Sequence, residues 1–165
     1  MTKMIQMVKV GIADLKVTKS LEKLRTSGLG SCVGIVIYDE IHKTAGMAHI
    51  MLPDSTLARK GDINRFKYAD TAIEDLLIEL SRSGADTFRL KAKIAGGAQM
   101  FHFTPASEMM RIGPRNVEAV KKKLVSLRIP IEAQDVGGQS GRTIEFNPLT
   151  SSLHIKTVNK KEMII

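Results

Sequence analysis

Residues 33–52, VGIVIYDEIHKTAGMAHIML, contain the longest apolar runs of the 165-residue chain. The runs are residues 33–38 and 45–52, the second interrupted by His49, and their length and β-branched content are typical of buried strands. The short polar segment between them predicts a β-hairpin. Both runs are far shorter than the ~20 residues that a membrane-spanning helix needs, so we expect no membrane insertion.

Outward from this hairpin, the hydrophobic pattern predicts strands toward both ends of the chain and helices between them. Helical spacing covers residues 68–83, with Gly84 as the stop, and a second amphipathic helix begins at Pro114. Residues 18–23 are expected in a loop. Alternating or apolar segments predict further strands at residues 4–10, 89–95, 129–136, 142–146 and 153–158. This order predicts an α+β fold, with a mixed β-sheet or sandwich flanked by helices, in a single domain spanning residues 1–165.

Composition limits the classes of partner. Hydrophobic residues make up 43% and charged residues 25%, as in an ordinary folded domain. The formal net charge of +8 favours a polyanionic partner. Nucleic acid is disfavoured because the chain has no Trp, two Tyr and five Phe, and therefore few side chains on which bases could stack.

The single cysteine bears on the compartment and on metal binding. One Cys excludes an internal disulfide and a Cys-based zinc site, and a free thiol fits a reducing compartment. The N-terminal segment carries Lys3, Lys9 and Asp14 through its apolar positions, which matches neither a signal peptide nor a lipidation site. We therefore expect a cytoplasmic protein. The four histidines are scattered, so no metal site is expected.

The segment GLGSC, residues 28–32, is the strongest candidate for a reactive site. Its glycines permit positive φ and close approach of a ligand, and they place Cys32 at the start of a buried strand. The backbone N–H groups of Ser31 and Cys32 could then stabilise an oxyanion. The alternative is that Cys32 is a small buried hydrophobic residue, as lone cysteines usually are.

A cysteine nucleophile needs a base, and four histidines compete for that role. If the hairpin pairs, His49 returns to the level of Cys32 and is the favoured base. His102, between two phenylalanines after a flexible GGA segment, is the second choice. His42 is expected to be solvated and His154 structural or exposed. His49 could equally be a satisfied core histidine.

The residues also resemble a known family. Segments 26–39, TSGLGSCVGIVIYD, and 45–55, AGMAHIMLPDS, are similar to the signature of the CheD family, the bacterial chemoreceptor glutamine deamidases. The similarity continues through KYADTAIEDLL, LKAKIAGGAQMF, IGPRNV and IPIEAQDVGGQSGRTIEF, and so covers nearly the whole chain. Ser27 and Pro114 depart from the family pattern without touching the expected site.

The resemblance implies an activity and a set of catalytic residues. It implies a Cys-His hydrolase with Cys32 as nucleophile, His49 as base and Thr26 as third member, on a fold resembling the deamidase domain of cytotoxic necrotizing toxins. The expected reaction converts receptor glutamine to glutamate through a thioester, without metal or cofactor. An imidazolium–thiolate pair would lower the thiol pKa, and Thr26 would orient His49 through its hydroxyl or its backbone carbonyl.

The resemblance also implies partners. These are methyl-accepting chemotaxis receptors, contacted at their cytoplasmic helical bundle, and the CheC phosphatase. A non-catalytic adaptor that binds receptors and CheC is the alternative function. In either function, the surplus positive charge would complement an acidic receptor surface. Lys91, Lys93 and residues 121–123 are candidates for contacts with that surface.

Overall fold

The computed structural model describes residues 4–61, 64–100 and 111–165, and its strands form two five-stranded sheets. The outer sheet has the order β1-β3-β8-β9-β10 and the central sheet the order β2-β5-β4-β6-β7. The helices are α1 (Ala69–Arg82) and α2 (Ile112–Ser126). The strands are β1 (Gln6–Lys9), β2 (Asp14–Lys19), β3 (Glu22–Leu29), β4 (Val33–Asp39), β5 (Thr44–Ile50), β6 (Lys91–Gly96), β7 (Ile131–Val136), β8 (Arg142–Asn147), β9 (Ser152–Thr157) and β10 (Met163–Ile164).

The architecture is a two-sheet sandwich with helices on one side. In each sheet one pair of strands is parallel, β1 with β3 and β6 with β7, and the other pairs are antiparallel. Both helices pack on the face of the central sheet that points away from the outer sheet. The predicted α+β class, with mixed sheets flanked by helices, is confirmed.

The β4–β5 hairpin lies at the centre of the molecule. Its strands pair antiparallel from Val33 opposite Ile50 to Asp39 opposite Thr44, and every residue of both strands is buried. Helices cover one face and the outer sheet covers the other, which explains why both strands are mostly apolar instead of alternating between apolar and polar residues. The predicted hairpin is confirmed.

Two apolar cores flank the central sheet. On the helix side, α1 contributes a stripe that includes Ile73, Leu76 and Leu80, all fully buried. Burial of each such side chain contributes roughly 1.5–3 kcal/mol. Gly84 ends α1 with φ +95°, as its position after the helix predicts. The core between the sheets includes Leu24, Leu29, Val36, Met47, Ile144 and Phe146.

Two expected boundaries are wrong. The loop expected at residues 18–23 is a tight turn, since β2 continues to Lys19 and β3 starts at Glu22. The few buried residues of these strands lie among polar and charged ones, so the apolar pattern is too sparse to show the strands in the sequence. Helix α2 starts at Ile112, two residues before Pro114.

The far end of the hairpin is held by a buried carboxylate. Asp39 is 1% exposed and accepts hydrogen bonds from the backbone N–H groups of Ile41, His42 and Asp86. The His42 ring, Nδ1 to Oδ2 at 2.6 Å, completes the set. Burial raises the pKa of Asp39, but these bonds outweigh it and lower the pKa below its usual value. His42 is therefore a partner of this turn and not simply solvated.

In the described residues, no helix combines the length and the apolar character required to cross a membrane.

Gly34 tests the packing between the sheets. A Cβ at this position would lie 2.6 Å from Cδ1 of Ile144, so Gly34→Ala forces the sheets to adjust. We expect a loss of about 1–3 kcal/mol in the free energy of unfolding, measured by urea titration. Gly11→Ala is the control, since no atom lies within 4 Å of its added Cβ. Equal stability of the two variants would contradict this packing.

Candidate functional site

The strand register brings Cys32 and His49 to the same end of the central sheet. His49 on β5 lies directly opposite Gly34 on β4, and Cys32 is two residues before Gly34. Residues two apart in an extended chain share a face, so Cys32 and His49 are diagonal neighbours, with Cα atoms roughly 7–8 Å apart. Cys32 packs against the core between the sheets, on the face that His49 shares with Met47. The predicted proximity therefore follows from the hairpin.

The glycine-rich segment before Cys32 has a specific backbone geometry. Gly28 has φ +72°, and Gly30 donates its N–H to the Gly28 carbonyl at 3.0 Å. The Gly30 carbonyl accepts from Ala98 N–H and the Cys32 carbonyl from Gly97 N–H, each at 2.8 Å. Cys32 itself remains partly exposed. The Cys32 carbonyl is thus hydrogen-bonded, whereas its side chain remains accessible to a substrate.

The N–H groups of Ser31 and Cys32 have no hydrogen-bond acceptor in the part of the chain that the structure describes. Among the described residues, neither group donates a hydrogen bond to backbone or side chain. This is the state that an oxyanion-binding backbone requires before substrate arrives. The geometry fits the expectation drawn from the GLGSC segment.

A hydrogen-bond chain fixes the tautomer of His49. Thr26 Oγ1 lies 2.7 Å from His49 Nδ1 and 2.8 Å from the Val10 carbonyl oxygen. A hydroxyl has one proton, and the carbonyl can only accept, so Thr26 donates to Val10 and accepts from Nδ1–H. The lone pair of His49 then lies on Nε2. Of the two groups of Thr26 considered from the sequence, the hydroxyl is the one that contacts His49.

The Val10 carbonyl is the one member of this hydrogen-bond chain that the sequence did not indicate. Val10 follows β1, is 4% exposed, and donates its own N–H to the Arg25 carbonyl at 2.7 Å. A backbone acceptor has no residue-type signature, so only the parallel pairing of β1 with β3 reveals it. Thr26 is inward-facing on β3, which distinguishes it from an ordinary loop threonine.

Burial sets the protonation states of the pair. His49 is fully buried, its Nε2 has no hydrogen-bond partner within the described residues, and burial lowers its pKa to about 4. Burial raises the pKa of the Cys32 thiol, and the Cys32 backbone N–H opposes this effect only in part. At neutral pH both groups are therefore uncharged.

The expected lowering of the thiol pKa is thus wrong for the resting site. A thiolate and an imidazolium would both have to be stabilised in an apolar gap between two sheets, where charge is disfavoured. A neutral imidazole with a free Nε2 can still take a proton as a bond to sulfur forms. The arrangement suits general-base catalysis better than a preformed ion pair.

The other histidines are not brought to Cys32. His42 binds Asp39 at the opposite end of the hairpin. His154 is exposed on β9 of the outer sheet, opposite Glu145. His102, the second choice for the base, lies outside the described residues.

The lysines proposed for an acidic partner are largely engaged. Lys91 binds Glu40 at 3.0 Å and Lys123 binds Glu74 at 2.8 Å. Lys93 is half-buried and donates to the Ser151 carbonyl at 2.6 Å. Lys91 lies at the far end of β6 from Gly96, which is next to Cys32, or about 17 Å away at ~3.3 Å per residue. Lys91 and Lys93 are therefore poor candidates for contacts at the site.

No group of three or more His, Cys, Asp or Glu side chains within the described ranges has the arrangement of a metal site. The site as described consists of a thiol, an imidazole, a hydroxyl and backbone groups.

The fold and this residue set define a class: an α+β sandwich carrying the functional groups of a cysteine hydrolase between its sheets. The family described as CheD chemotactic sensory transduction matches residues 51–157. A chemoreceptor glutamine deamidase CheD from Halalkalibacterium halodurans is 62% identical over 159 residues, covering 96% of this chain and 98% of the relative. One from Bacillus subtilis is 52% identical over 158 residues, covering 96% and 95%. The chain belongs to the CheD family.

Thr26 variants test the tautomer. Thr26→Val removes the acceptor for Nδ1–H while keeping the side-chain volume, whereas Thr26→Ser retains the hydroxyl. We expect the ¹⁵N resonances of His49 to show the Nδ1–H tautomer in the wild type and in Thr26→Ser, and a mixture of tautomers in Thr26→Val. The same spectrum in all three proteins would contradict the hydrogen-bond chain.

The low pKa of His49 predicts how stability depends on pH. The unfolded chain binds a proton near the ordinary histidine pKa of 6.5, and the folded chain does so only near 4. His49 therefore imposes no penalty above pH 6.5, and stability falls as the pH drops toward 4, by on the order of 3 kcal/mol. Urea titrations across this range should give a shallower pH dependence for His49→Gln than for the wild type. Parallel curves would exclude burial of a neutral His49.

Proposed function

We propose that this protein hydrolyses glutamine side chains of chemoreceptors to glutamate. Its place in the CheD family and the names of its relatives support the substrate class. The observation that best supports this chemistry is the hydrogen-bond chain Val10–Thr26–His49. It leaves the Nε2 lone pair of His49 on the face of the sheet that Cys32 shares. The sulfur of Cys32, directly before β4, is then the nucleophile, and the imidazole of His49 on β5 is the base.

In the first half of the reaction, His49 Nε2 takes the proton of the Cys32 thiol as sulfur attacks the carbon of the glutamine carboxamide. The carbonyl oxygen becomes negative and is stabilised by the N–H groups of Cys32 and Ser31. When this intermediate collapses, the C–N bond breaks and His49 returns its proton to the departing ammonia. The product is a thioester between Cys32 and the substrate side chain.

In the second half, His49 accepts a proton from water as the water oxygen attacks the thioester carbon. The C–S bond breaks and the proton passes to sulfur, which restores the free thiol and releases a glutamic acid side chain that ionises to glutamate in water. Thr26 contributes by holding Nδ1–H throughout, so that Nε2 always faces the reacting atoms. Both half-reactions need only the residues already placed at the site.

Several finer expectations remain predictions of this proposal. They are the likeness to the deamidase domain of cytotoxic necrotizing toxins, the extent of one domain over residues 1–165, and the binding of CheC. A receptor substrate contacted at its cytoplasmic bundle and a thiol that must stay reduced favour a cytoplasmic location.

Replacement of the nucleophile tests the reaction. Cys32→Ala should abolish ammonia release from a purified receptor cytoplasmic fragment, and the +1 Da conversion of Gln to Glu should disappear from its mass spectrum. His49→Gln should lower the rate by at least ~100-fold, since it removes the base. His154→Gln is the matched control and should keep wild-type activity.

Deamidation by folded Cys32→Ala would overturn the assignment of the nucleophile. The adaptor function makes a different prediction: binding of receptor and CheC would persist in this variant, and the wild type would cause no mass change in the receptor.

A further inference from the structure

Asn116 is a fully buried polar residue that the proposed reaction does not use. It lies in the second turn of α2, and its side-chain NH₂ group donates two hydrogen bonds, each 2.9 Å long, to the carbonyls of Ser31 and Met51. Ser31 directly precedes Cys32, and Met51 lies just after β5, two residues beyond His49. One amide therefore bridges the ends of the two strands that carry the proposed nucleophile and base.

The position of α2 against this end of the sheet leaves little room for movement. A Cβ at Gly113 would lie 2.2 Å from the Ala98 carbonyl oxygen and 2.7 Å from that of Gly97. Gly97 and Ala98 in turn donate their N–H groups to the Cys32 and Gly30 carbonyls. The first turns of α2 thus contact the segment around Cys32 by two routes, through residues 97–98 and through Asn116.

The bond to Ser31 fixes the direction of the next peptide N–H. In a trans peptide the carbonyl and the N–H point in opposite directions, and the Ser31 carbonyl shares its peptide unit with the Cys32 N–H. No peptide bond in the described residues is cis. Because Asn116 holds the Ser31 carbonyl toward α2, the Cys32 N–H points away from the helix.

The environment of the Cys32 sulfur agrees with this direction. Burial raises the pKa of the thiol, and the residue's own backbone N–H acts in the opposite sense, as a nearby N–H dipole does. This N–H has no acceptor among the described residues, as noted above.

Burying the Asn116 side chain costs free energy. Its Oδ1 is buried without a hydrogen-bond partner in the described part of the chain. Such an unpaired acceptor is unfavourable, and an apolar residue at this position would avoid it. The two carbonyls bound by the amide account for the polar side chain here.

We propose that Asn116 is a positioning residue, which orients the Ser31–Cys32 peptide so that the Cys32 N–H is presented to the oxyanion. It contacts neither substrate nor the reacting atoms, and its role rests on the proposed function. Loss of the amide frees the peptide to rotate and leaves sulfur and imidazole in place. The effect then falls on the step in which negative charge develops on oxygen.

Asn116→Ala tests this role with two measurements on the full chain. For ammonia release from a receptor cytoplasmic fragment, we expect kcat to fall by about 100-fold with little change in KM. Alkylation of Cys32 by iodoacetamide, a displacement at a CH₂ group that forms no oxyanion, should proceed within about threefold of the wild-type rate. Asn116→Ser, which keeps a single donor, should be less impaired and is used if Asn116→Ala does not fold.

Val120→Ala is the matched control for lost stability. Val120 is fully buried one turn further along α2, in the helix-side core, and does not bond to Ser31 or Met51. We expect it to lower the stability while keeping kcat near that of the wild type.

The outcomes separate the two proposals. A wild type that releases no ammonia overturns the proposed function, and the role of Asn116 with it. An active wild type with equally active, folded Asn116 variants overturns the role of Asn116 alone. An equal loss of kcat and of the alkylation rate also overturns the role of Asn116, because that result would place the defect in the thiol and its base.

Discussion

The antiparallel register of β4 and β5 is the constraint on which the site depends. With His49 opposite Gly34, its side chain shares a face with Cys32 and points between the sheets. A shift of the register by one residue would turn His49 toward the helices and its apolar neighbours toward the outer sheet. Because the two faces of these strands pack in two different cores, that exchange would disrupt both, and core packing secures the positions of Cys32 and His49.

Burial explains why the resting pair is neutral. Residues between two apolar sheets are poorly solvated, so imidazolium and thiolate are both disfavoured there. The Thr26 hydroxyl and the Val10 carbonyl orient the imidazole without adding charge. In the proposed reaction, charge develops only as the oxyanion forms next to the N–H groups of Ser31 and Cys32. A site of this kind relies on backbone dipoles where many cysteine enzymes rely on an ion pair.

The parts of the site that could be predicted from the sequence are those with local patterns. The apolar runs on either side of a short polar turn were enough to pair β4 with β5, and that pairing placed His49 near Cys32. The strands β2 and β3 were not predicted because their few buried residues are separated by polar and charged ones. Thr26 was included in the candidate site only because of the family resemblance, since an inward-facing threonine on an unpredicted strand has no sequence signature of its own.

The remaining contributions are long-range and cannot be seen in any local pattern. The Val10 carbonyl reaches Thr26 only because β1 pairs in parallel with β3, and Asn116 reaches Ser31 and Met51 only because α2 crosses that end of the central sheet. In both cases the functional group binds a backbone amide or carbonyl, whose presence is independent of residue type. The local pattern of the sequence therefore brings out Cys32 and His49 as candidates, whereas the tertiary fold supplies the groups that contact and orient them.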